Sequence, residues 1–334
     1  PPSCVALSRP KLTIPMKHNT NTTIHGQSPA LLEALRTADL VSATDVTLLI
    51  SGESGTGKEL LAKRVQQQSR RNQSAFVTVN CATIPEPLAE SILFGHQKGA
   101  FTGAVESRQG LVAEASGGTL FLDEVAELPL KLQAKLLRFL ESGESRAVGS
   151  ENIKFNDVRI IAATHRNLST AVSEGRFRSD LYYRLNIVPV DLPPLRQREG
   201  DVPILLDTLT AQLVKQHQLK APKFTKRAIQ DLEHYQWPGN VRELHNFCER
   251  MLVLFHGRTI HSVNLPAEIR GAEDALTEDE FCLPQTGLSL EALEKRFIHQ
   301  ALGYASGNKS RAARLLGLTR DTLLYRLKKY RIKT

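Results

Sequence analysis

The stretch DVTLLISGESGTGKELLAKRV, residues 45–65, decides the fold of this chain. Residues 45–51 form a short apolar run that predicts a buried strand, and residues 59–69 have the apolar spacing of a helix. Between them lie Gly52, Glu53, Ser54, Gly55, Thr56, Gly57 and Lys58. A glycine-rich turn between a strand and a helix is the setting of a P-loop. The backbone N–H groups of such a loop surround a phosphate beside the positive end of the helix dipole.

Two side chains at the end of this loop bear on its chemistry. Lys58 is placed to reach the β- and γ-phosphates of a nucleotide. Glu59 stands where Ser or Thr ordinarily contacts Mg²⁺, so the metal must depend more on the phosphates, water and another carboxylate. A chance glycine-rich turn is the alternative interpretation.

A second predicted strand ends in two carboxylates. Residues 118–124 read GTLFLDE, so Asp123 and Glu124 follow a buried strand directly. Ligands of open α/β sheets bind at the carboxyl ends of the strands, which is where the phosphate loop also lies. Asp123 is suited to hold Mg²⁺ through water, and Glu124 to orient and deprotonate an attacking water. A helix-capping Asp-Glu pair is the weaker alternative.

Strands and helices alternate through the first part of the chain and then give way to helices. Three more strands are predicted at residues 75–80, 158–163 and 187–192, and a helix at residues 130–140. This alternation predicts an α/β domain, a mostly parallel sheet flanked by helices. After Pro193 and Pro194, the predicted elements are the helices 202–218, 225–235 and 241–255. This part is predicted to be an all-α subdomain.

Composition limits the class of protein. The 334 residues allow two or three domains, and no apolar run reaches the length of about 18 residues that spans a membrane, so no membrane partner is expected. The cysteines have neither zinc-site nor disulfide spacing, which indicates a reducing, cytoplasmic location. They are Cys4, Cys81, Cys248 and Cys282. Residues 1–23 lack an initiator Met and a signal-peptide pattern, and we interpret them as a linker or as the edge of a longer protein.

The basic excess of the chain lies at its C-terminal end. Residues 305–334 contain nine Lys or Arg and one Asp, a net charge of +8 that equals that of the whole chain. Two helices predicted here, 308–316 and 320–330, are joined by a glycine-containing turn at 317–319. This is the helix-turn-helix pattern. Its charge favours DNA binding over a solvated tail or a three-helix protein-binding module.

The last predicted helix has an apolar face and a polar face. Leu323, Leu324 and Leu327 are predicted to face inward. Residues near the start of such a helix meet base edges, and flanking Lys or Arg meet phosphates. The predicted DNA contacts are Thr319, Arg320, Asp321, Thr322, Tyr325, Arg326 and Lys329.

The GAFTGA loop, residues 99–104, is not explained by packing. It places the large apolar Phe101 and the hydroxyl of Thr102 among Gly and Ala. A phenylalanine in so small and flexible a setting is not typical of a core residue, whereas small neighbours permit close approach and movement. The loop is therefore predicted to be an interaction surface.

Together these motifs are similar to a known family. The chain resembles the AAA+ domain of NtrC-type activators of sigma-54 RNA polymerase, also called bacterial enhancer-binding proteins. The motifs follow the family order across about residues 24–270: GESGTGKE (52–59), ESILFGHQKGAFTGA (90–104), GGTLFLDE (117–124), AATHRNL (162–168), GRFRSDLYYRLN (175–186) and WPGNVREL (237–244). Residues 307–330 resemble the Fis-type helix-turn-helix that ends many such activators.

The resemblance implies a AAA+ P-loop ATPase that uses ATP and Mg²⁺, in which glutamate at position 59 is usual. It makes Asn80 the polar partner that restrains Glu124, Thr164 the sensor I residue, and Arg242 the sensor II residue in a helical lid. It also places Ile24 in a segment that packs near the adenine.

Two arginines gain a role from the resemblance alone. Taken by themselves, Arg178 and Arg184 are better explained as surface ion pairs. In the family, residues at these positions are arginine fingers that act on the ATP of a neighbouring subunit. This implies a homo-oligomer in which dimers assemble into a ring, usually a hexamer.

The implied function is transcription activation. The family binds a palindromic upstream site on double-stranded DNA and uses ATP to remodel the closed complex of sigma-54 RNA polymerase. The implied sigma-factor contacts are Gly99, Ala100, Phe101, Thr102, Gly103 and Ala104. Other AAA+ machines lack this loop, and Lys58, Asp123 and Glu124 argue against a passive regulator with a vestigial ATP site. A DNA-binding regulator whose AAA+ domain does not act on sigma-54 is the alternative.

The expected domain organisation follows from these assignments. An N-terminal linker precedes an α/β subdomain and a helical lid, and an acidic linker joins the lid to the helix-turn-helix domain. The predicted bounds are 1–23, 24–195, 196–270, 271–288 and 289–334.

Overall fold

A computed structural model describes residues 23–270, 289–305, 307–330 and 332. Nearly all of the predicted N-terminal linker and the whole of the predicted acidic linker, 271–288, lie outside the described residues. The chain divides into two compact units, Pro1–Gly271 and Ala272–Thr334, each of which is considered by itself.

The first unit is built on a five-stranded parallel sheet. Its strands are β1 (Leu48–Ser51), β2 (Phe76–Asn80), β3 (Thr119–Asp123), β4 (Arg159–Thr164) and β5 (Val188–Asp191). Their order across the sheet is β2-β3-β4-β1-β5, and every neighbouring pair is parallel. The register pairs Asn80 with Asp123 and Ser51 with Thr164, so the carboxyl ends of these strands share one edge. The predicted α/β fold is confirmed.

Helices cover both faces of this sheet. They are α1 (Pro29–Ser42), α2 (Lys58–Gln67), α3 (Glu86–Phe94), α4 (Leu111–Glu114), α5 (Leu130–Ser142), α6 (Leu168–Ser173) and α7 (Ser179–Leu185). Successive residues of β3 face opposite cores: Leu120 and Leu122 pack on one side, and Phe121 on the other. Because both faces of the sheet are buried at its centre, the three central strands β3, β4 and β1 are mainly apolar runs without a polar alternation.

The lid completes the first unit. It contains α8 (Asp201–His217), α9 (Lys226–His234) and α10 (Asn240–Phe255) around the fully buried Trp237, whose indole N–H donates to the Leu232 carbonyl at 2.8 Å. A parallel pairing of Lys223–Phe224 with Thr259–Ile260 adds a small sheet that the helical prediction does not include. Two residues are too few to produce a readable periodicity.

Two short antiparallel hairpins extend from the α/β part of the first unit. Gly95–His96 pairs with Arg108–Gln109 and carries the GAFTGA loop between its strands. Glu144–Ser145 pairs with Lys154–Phe155 and forms the base of a second hairpin, residues 144–155. Single 3-10 turns lie at Cys81–Thr83, Val125–Glu127, Leu195–Gln197 and Ser262–Asn264.

The described part of the second unit contains three helices, two of which form a helix-turn-helix. Its helices are α11 (Leu290–Tyr304), α12 (Lys309–Leu315) and α13 (Arg320–Lys329), and Thr319 caps α13 by accepting from Thr322 N–H at 3.2 Å. Leu323 and Leu327 are buried as predicted. Leu324 is 36% exposed, and its inward prediction is wrong, because a helix this short buries one narrow stripe.

Among the described residues, no helix has the length and apolar character needed to cross a membrane.

Candidate functional site

The phosphate loop, residues 52–58, connects β1 to α2 and is held by the lid. Gly57 has a left-handed backbone, with φ of 105°, directly before the first turn of α2. Gly55, with φ of 80°, approaches the lid so closely that an added Cβ would lie 2.3 Å from the Gly239 carbonyl oxygen. Val241 N–H donates to the Gly55 carbonyl at 3.0 Å. These glycines are therefore required by backbone conformation and by close approach.

Lys58 is the buried cation of the loop. Its ammonium donates to the carbonyl oxygens of Gly52 at 2.8 Å and Glu53 at 3.2 Å, and lies 3.8 Å from Glu124 Oε1. Burial lowers the pKa of Lys58, and the carboxylates of Glu124 and Asp123 oppose that shift. A partly desolvated ammonium bonded to loop carbonyls has much to gain from a phosphate.

The lid contributes three polar side chains to the loop. Asn240, fully buried, donates through Nδ2 to Glu53 Oε2 at 3.1 Å and to the Ser54 carbonyl at 3.0 Å. Arg242 donates to Ser54 Oγ at 2.9 Å, which places the predicted sensor II residue against the phosphate loop. Arg196 pairs with Glu53 at 2.6 Å and lowers its pKa to about 2.

The structure adds Arg196 and Asn240 to the residues that the sequence predicts. Asn240 lies within the WPGN motif, so its position was readable, but its contact with the loop depends on the docking of the lid. Arg196 follows a Pro-Pro pair and carries no comparable signal.

The remaining predicted nucleotide residues differ in exposure. Thr56 is buried, and its hydroxyl donates to the Glu53 carbonyl at 2.8 Å. Glu59 is exposed and pairs with Lys63 at 2.6 Å. Ile24 is partly buried against the core formed by α1, α2 and the sheet. Beside it, the Asp201 carboxylate of the lid accepts from Ser28 N–H and Oγ, both at 3.0 Å.

Asp123 lies at the end of β3, next to Asn80 at the end of β2. Asn80 Nδ2 donates to Asp123 Oδ2 at 3.4 Å, while Asn80 Oδ1 accepts from Ala82 N–H at 2.9 Å. Burial and the neighbouring Glu124 charge raise the pKa of Asp123. A cation bound there would remove that cost, so the site suits Mg²⁺.

Glu124 has partners other than the one the resemblance implies. Its backbone is left-handed, with φ of 54°. Its Oε2 accepts from His165 N–H at 3.2 Å and lies 2.5 Å from His165 Nδ1. The Asn80 amide donates to Asp123 instead of Glu124. His165, which follows Thr164 in AATHRNL, is a site residue that the sequence prediction lacks.

Thr164 is buried at the end of β4, and its hydroxyl accepts from Arg166 N–H at 3.0 Å.

One cavity, of about 370 Å³, is lined by residues that include Lys58, Asp123, Glu124 and Arg242. The structure thus brings together the phosphate loop, both carboxylates and Arg242, the predicted sensor II residue. Thr164 and His165 line an adjoining face with Glu53 and Arg196. Among the described residues, no group of three or more His, Cys, Asp or Glu could hold a metal ion by itself.

The predicted arginine fingers are bound elsewhere in this chain. Arg178 pairs with Asp180 through two hydrogen bonds, at 3.0 and 2.7 Å. Arg184 donates to the Leu140 carbonyl at 2.8 Å, at the end of α5. Arg178 directly precedes α7 and Arg184 lies within it, and neither is among the residues that line the cavity next to Lys58.

The GAFTGA loop closes on itself. Gly99 N–H donates to the Ala104 carbonyl at 2.8 Å, and Gly99 and Gly103 have φ of 80° and 104°. Thr102 is exposed and Phe101 is 37% exposed. The Phe101 ring meets the edge of His96, with centroids 5.1 Å apart, and His96 Nδ1 is bonded to Ser91 Oγ at 2.7 Å. The tip is therefore accessible, while its base is fixed to α3.

The second hairpin supports the GAFTGA loop from one side. Gln97 N–H donates to the Val148 carbonyl at 2.9 Å, and Val148 N–H to the Gly95 carbonyl at 2.9 Å. Gly149 lies so near the loop that an added Cβ would be 2.8 Å from Ala100 Cβ. Nothing in the sequence alone predicted this contact, because the two segments are separated by β3 and α5.

The predicted DNA-contacting residues differ in their availability. Arg320, Asp321, Tyr325 and Lys329 are exposed, as is the cap residue Thr319. Thr322 is half-buried and its hydroxyl bonds Thr319 Oγ1 at 2.7 Å. Arg326 is ion-paired with Glu294 of α11, which also accepts a hydrogen bond from the Tyr330 hydroxyl. Arg326 thus has a structural partner within the module.

Three family models match the chain in succession. One described as a Sigma-54 interaction domain matches residues 24–191, and an AAA+ ATPase lid domain matches residues 196–280. A third, described as a bacterial regulatory protein of the Fis family, matches residues 289–330.

Known proteins similar to the chain are transcriptional regulators. It is 46% identical over 302 residues to transcriptional regulatory protein ZraR of Escherichia coli K12, covering 90% of this chain and 67% of that protein. It is 43% identical over 311 residues to regulatory protein AtoC of the same strain, covering 91% and 67%. A crystal structure of NtrX from Brucella abortus in complex with ADP is similar at a TM-score of 0.70 and 35% identity, covering 93% of this chain and 69% of that one.

Proposed function

This chain belongs to the sigma-54-dependent transcriptional activators, with a AAA+ P-loop domain and a Fis-type DNA-binding domain, and on that premise we propose that it hydrolyses ATP to move its GAFTGA loop against the sigma factor of promoter-bound RNA polymerase. The observation that carries the proposal is the position of Asn80. Its side chain contacts Asp123 in the site and caps the 3-10 turn that leads into α3. Helix α3 ends at Phe94, directly before the hairpin that carries the loop.

The site has the groups that hydrolysis requires. Lys58 turns from its loop carbonyls to the β- and γ-phosphates, and Arg242 and the loop N–H groups complete the cradle. Glu124 orients water and takes its proton as the water oxygen attacks the γ-phosphorus. The bond to the bridging oxygen breaks, and ADP and phosphate leave. Asp123 would hold Mg²⁺ together with the phosphates, and the metal would supply positive charge to the phosphate oxygens.

The arginines on α7 support an assembly in which subunits complete one another's sites. Arg178 and Arg184 are exposed and bound to partners within their own chain. A solvent-exposed ion pair such as Arg178–Asp180 contributes little to stability, so a neighbouring nucleotide can displace it. We infer a ring, reached from dimers and usually a hexamer, in which these arginines stabilise charge on the adjacent subunit's ATP.

The helix-turn-helix unit supports binding of double-stranded DNA. Its exposed cap and first turn, with Arg320 and Asp321, are presented as a recognition helix requires, and Lys328 and Lys329 are available for phosphates. A dimer of such modules reads a palindromic upstream site.

Three measurements test the proposal. ATPase activity should rise more than linearly with protein concentration, because the fingers act between subunits. Thr102→Ala should keep ATP hydrolysis and lose open-complex formation with sigma-54 polymerase. Val105→Ala, a change at a 75% exposed residue just beyond the loop, is the matched control and should retain both.

Two results would overturn it. Hydrolysis that is absent at every protein concentration would indicate a passive regulator. Open-complex formation that survives Thr102→Ala would show that the GAFTGA loop is not the contact that drives opening. ATP turnover that drives no opening at any sigma-54 promoter carrying the upstream DNA site would favour a AAA+ regulator that does not act on sigma-54.

A further inference from the structure

We propose that His165 is a positioning residue for Glu124, which anchors one oxygen of that carboxylate so that the other faces the phosphate site. The inference rests on the proposed function, because it takes Glu124 as the base for ATP hydrolysis. It assigns to His165 the direct control of Glu124 that the resemblance assigns to Asn80.

Both hydrogen bonds to Glu124 Oε2 come from His165. The backbone N–H donates at 3.2 Å, and the ring Nδ1 lies at 2.5 Å. An ionised carboxylate can only accept, so Nδ1 carries the proton in this contact. Two donors from one residue define the position of Oε2 more closely than a single flexible donor could.

The second oxygen is oriented differently. Oε1 lies 3.8 Å from Lys58 Nζ, which is longer than a normal hydrogen bond but close enough for attraction between charges. Lys58 is the group that meets the β- and γ-phosphates, so an oxygen beside its ammonium lies next to the position of the attacking water. Anchoring Oε2 therefore leaves Oε1 to act as the base.

The two catalytic carboxylates have separate partners. Asn80 donates to Asp123, and His165 donates to Glu124. Strand β3 ends directly before Glu124, and strand β4 ends directly before His165. The two strands are neighbours, with Leu122 opposite Ala162, so the sheet itself places His165 beside Glu124. Glu124 has a left-handed backbone, which is unfavourable for a non-glycine residue, and its side-chain contacts help to hold it there.

The test compares His165→Ala with His165→Asn in the full chain, by steady-state ATPase kinetics and by direct binding of ATP. His165→Ala is expected to lower kcat by about ten-fold, with KM and ATP affinity unchanged, since misplacing a catalytic group costs rate without removing ground-state binding. The loss stays below that of Glu124→Gln because the backbone N–H donor remains. His165→Asn returns an N–H donor near the Nδ1 position and should recover most of the lost kcat.

Arg166→Ala is the matched control. Its side chain pairs with Glu127 at 2.6 Å and not with Glu124, so kcat should stay at the wild-type value. Adding His165→Ala to Glu124→Gln should lower turnover no further, because His165 acts through Glu124.

The failure of this inference is separable from that of the proposed function. If Glu124→Gln retains turnover, the assignment of the base fails. If Glu124→Gln is inactive while His165→Ala keeps the wild-type kcat, His165 has no positioning role. Equal kcat losses in His165→Ala and His165→Asn, or a loss confined to KM and ATP affinity, would likewise overturn the proposal.

Discussion

The phosphate loop and the GAFTGA loop are both short and rich in glycine, yet Gly55 in the first serves a different purpose from Gly99 and Gly103 in the second. Gly55 touches another part of the fold, and a methyl group there would overlap the Gly239 carbonyl. Around Gly99 and Gly103, an added Cβ would meet nothing within 4 Å. At Gly55 the missing side chain allows close packing, whereas at Gly57, Gly99 and Gly103 it allows only an unusual backbone.

The two loops also differ in the contacts that hold them in place. The phosphate loop is tied by side chains of the lid, through Asn240, Arg242 and Arg196. The tip of the GAFTGA loop is bonded mainly to itself, and its base rests on α3 and the second hairpin. A site that performs chemistry must hold its groups in place, whereas a loop that transmits a change must have room to move.

The largest expected effect is that of a change at Glu124, which separates ATP hydrolysis from ATP binding. Glu124→Gln should lower ATP turnover by about 10²–10⁴-fold, because it removes the proposed general base, and should leave ATP binding intact. Phosphate-release kinetics and a nucleotide-binding titration measure the two properties. Near-normal ATP turnover would show that Glu124 is not the general base and that the phosphate loop serves a different reaction.

The next effect tests the two uses of glycine directly. Gly55→Ala and Gly103→Ala each add a methyl group at positive φ, which costs about 1–2 kcal/mol of folding free energy. Only Gly55→Ala also forces the lid away from the phosphate loop, so it should lower both the melting temperature and the affinity for ATP more than Gly103→Ala does. Thermal denaturation and ATP titrations decide the matter, and equal effects of the two changes would contradict the distinction.

A smaller effect concerns the support of the GAFTGA loop. Gly149→Ala should crowd Ala100 and reduce open-complex formation several-fold while ATP turnover stays near the wild-type value. Gly117→Ala is the matched control, since Gly117 has the same φ of 77° and an added Cβ there meets nothing within 4 Å. If both variants open promoters equally well, the second hairpin does not control the loop.

The smallest effect is a pH dependence at the phosphate loop. Arg196 lowers the pKa of Glu53 to about 2, so this contact stabilises the fold above the ordinary glutamate pKa and is lost as the pH falls toward 2. Because Glu53 is largely solvated, the contribution should be below about 1 kcal/mol. Wild type and Glu53→Gln should differ slightly in unfolding free energy near neutral pH and converge in acid. A difference that grows in acid would reverse the assigned sign.

Much of the site was predictable because its signals are local. The order of strand, glycine-rich turn and helix identifies the phosphate loop, and the position of Asp123 and Glu124 after an apolar run places them at the carboxyl edge of a parallel sheet. The helix-turn-helix was predicted by charge and spacing together. Each of these inferences needs only the residues within one element and its flanks.

The partners of these residues were not predictable in the same way. The contacts of His165 with Glu124 and of Asn240 with Glu53 join residues 41 and 187 positions apart. The inward prediction for Leu324 is wrong because periodicity identifies an apolar face but not how much of it a neighbouring helix covers.

The sequence by itself determined the fold class, the phosphate loop, the two carboxylates and the basic helix-turn-helix, since apolar periodicity, glycine conformation and charge act over a few residues. Only the tertiary structure decided which donor holds which carboxylate, that the lid closes on the phosphate loop, and that the second hairpin supports the GAFTGA loop. Those contacts depend on strand order and helix packing, which bring distant residues within hydrogen-bonding distance.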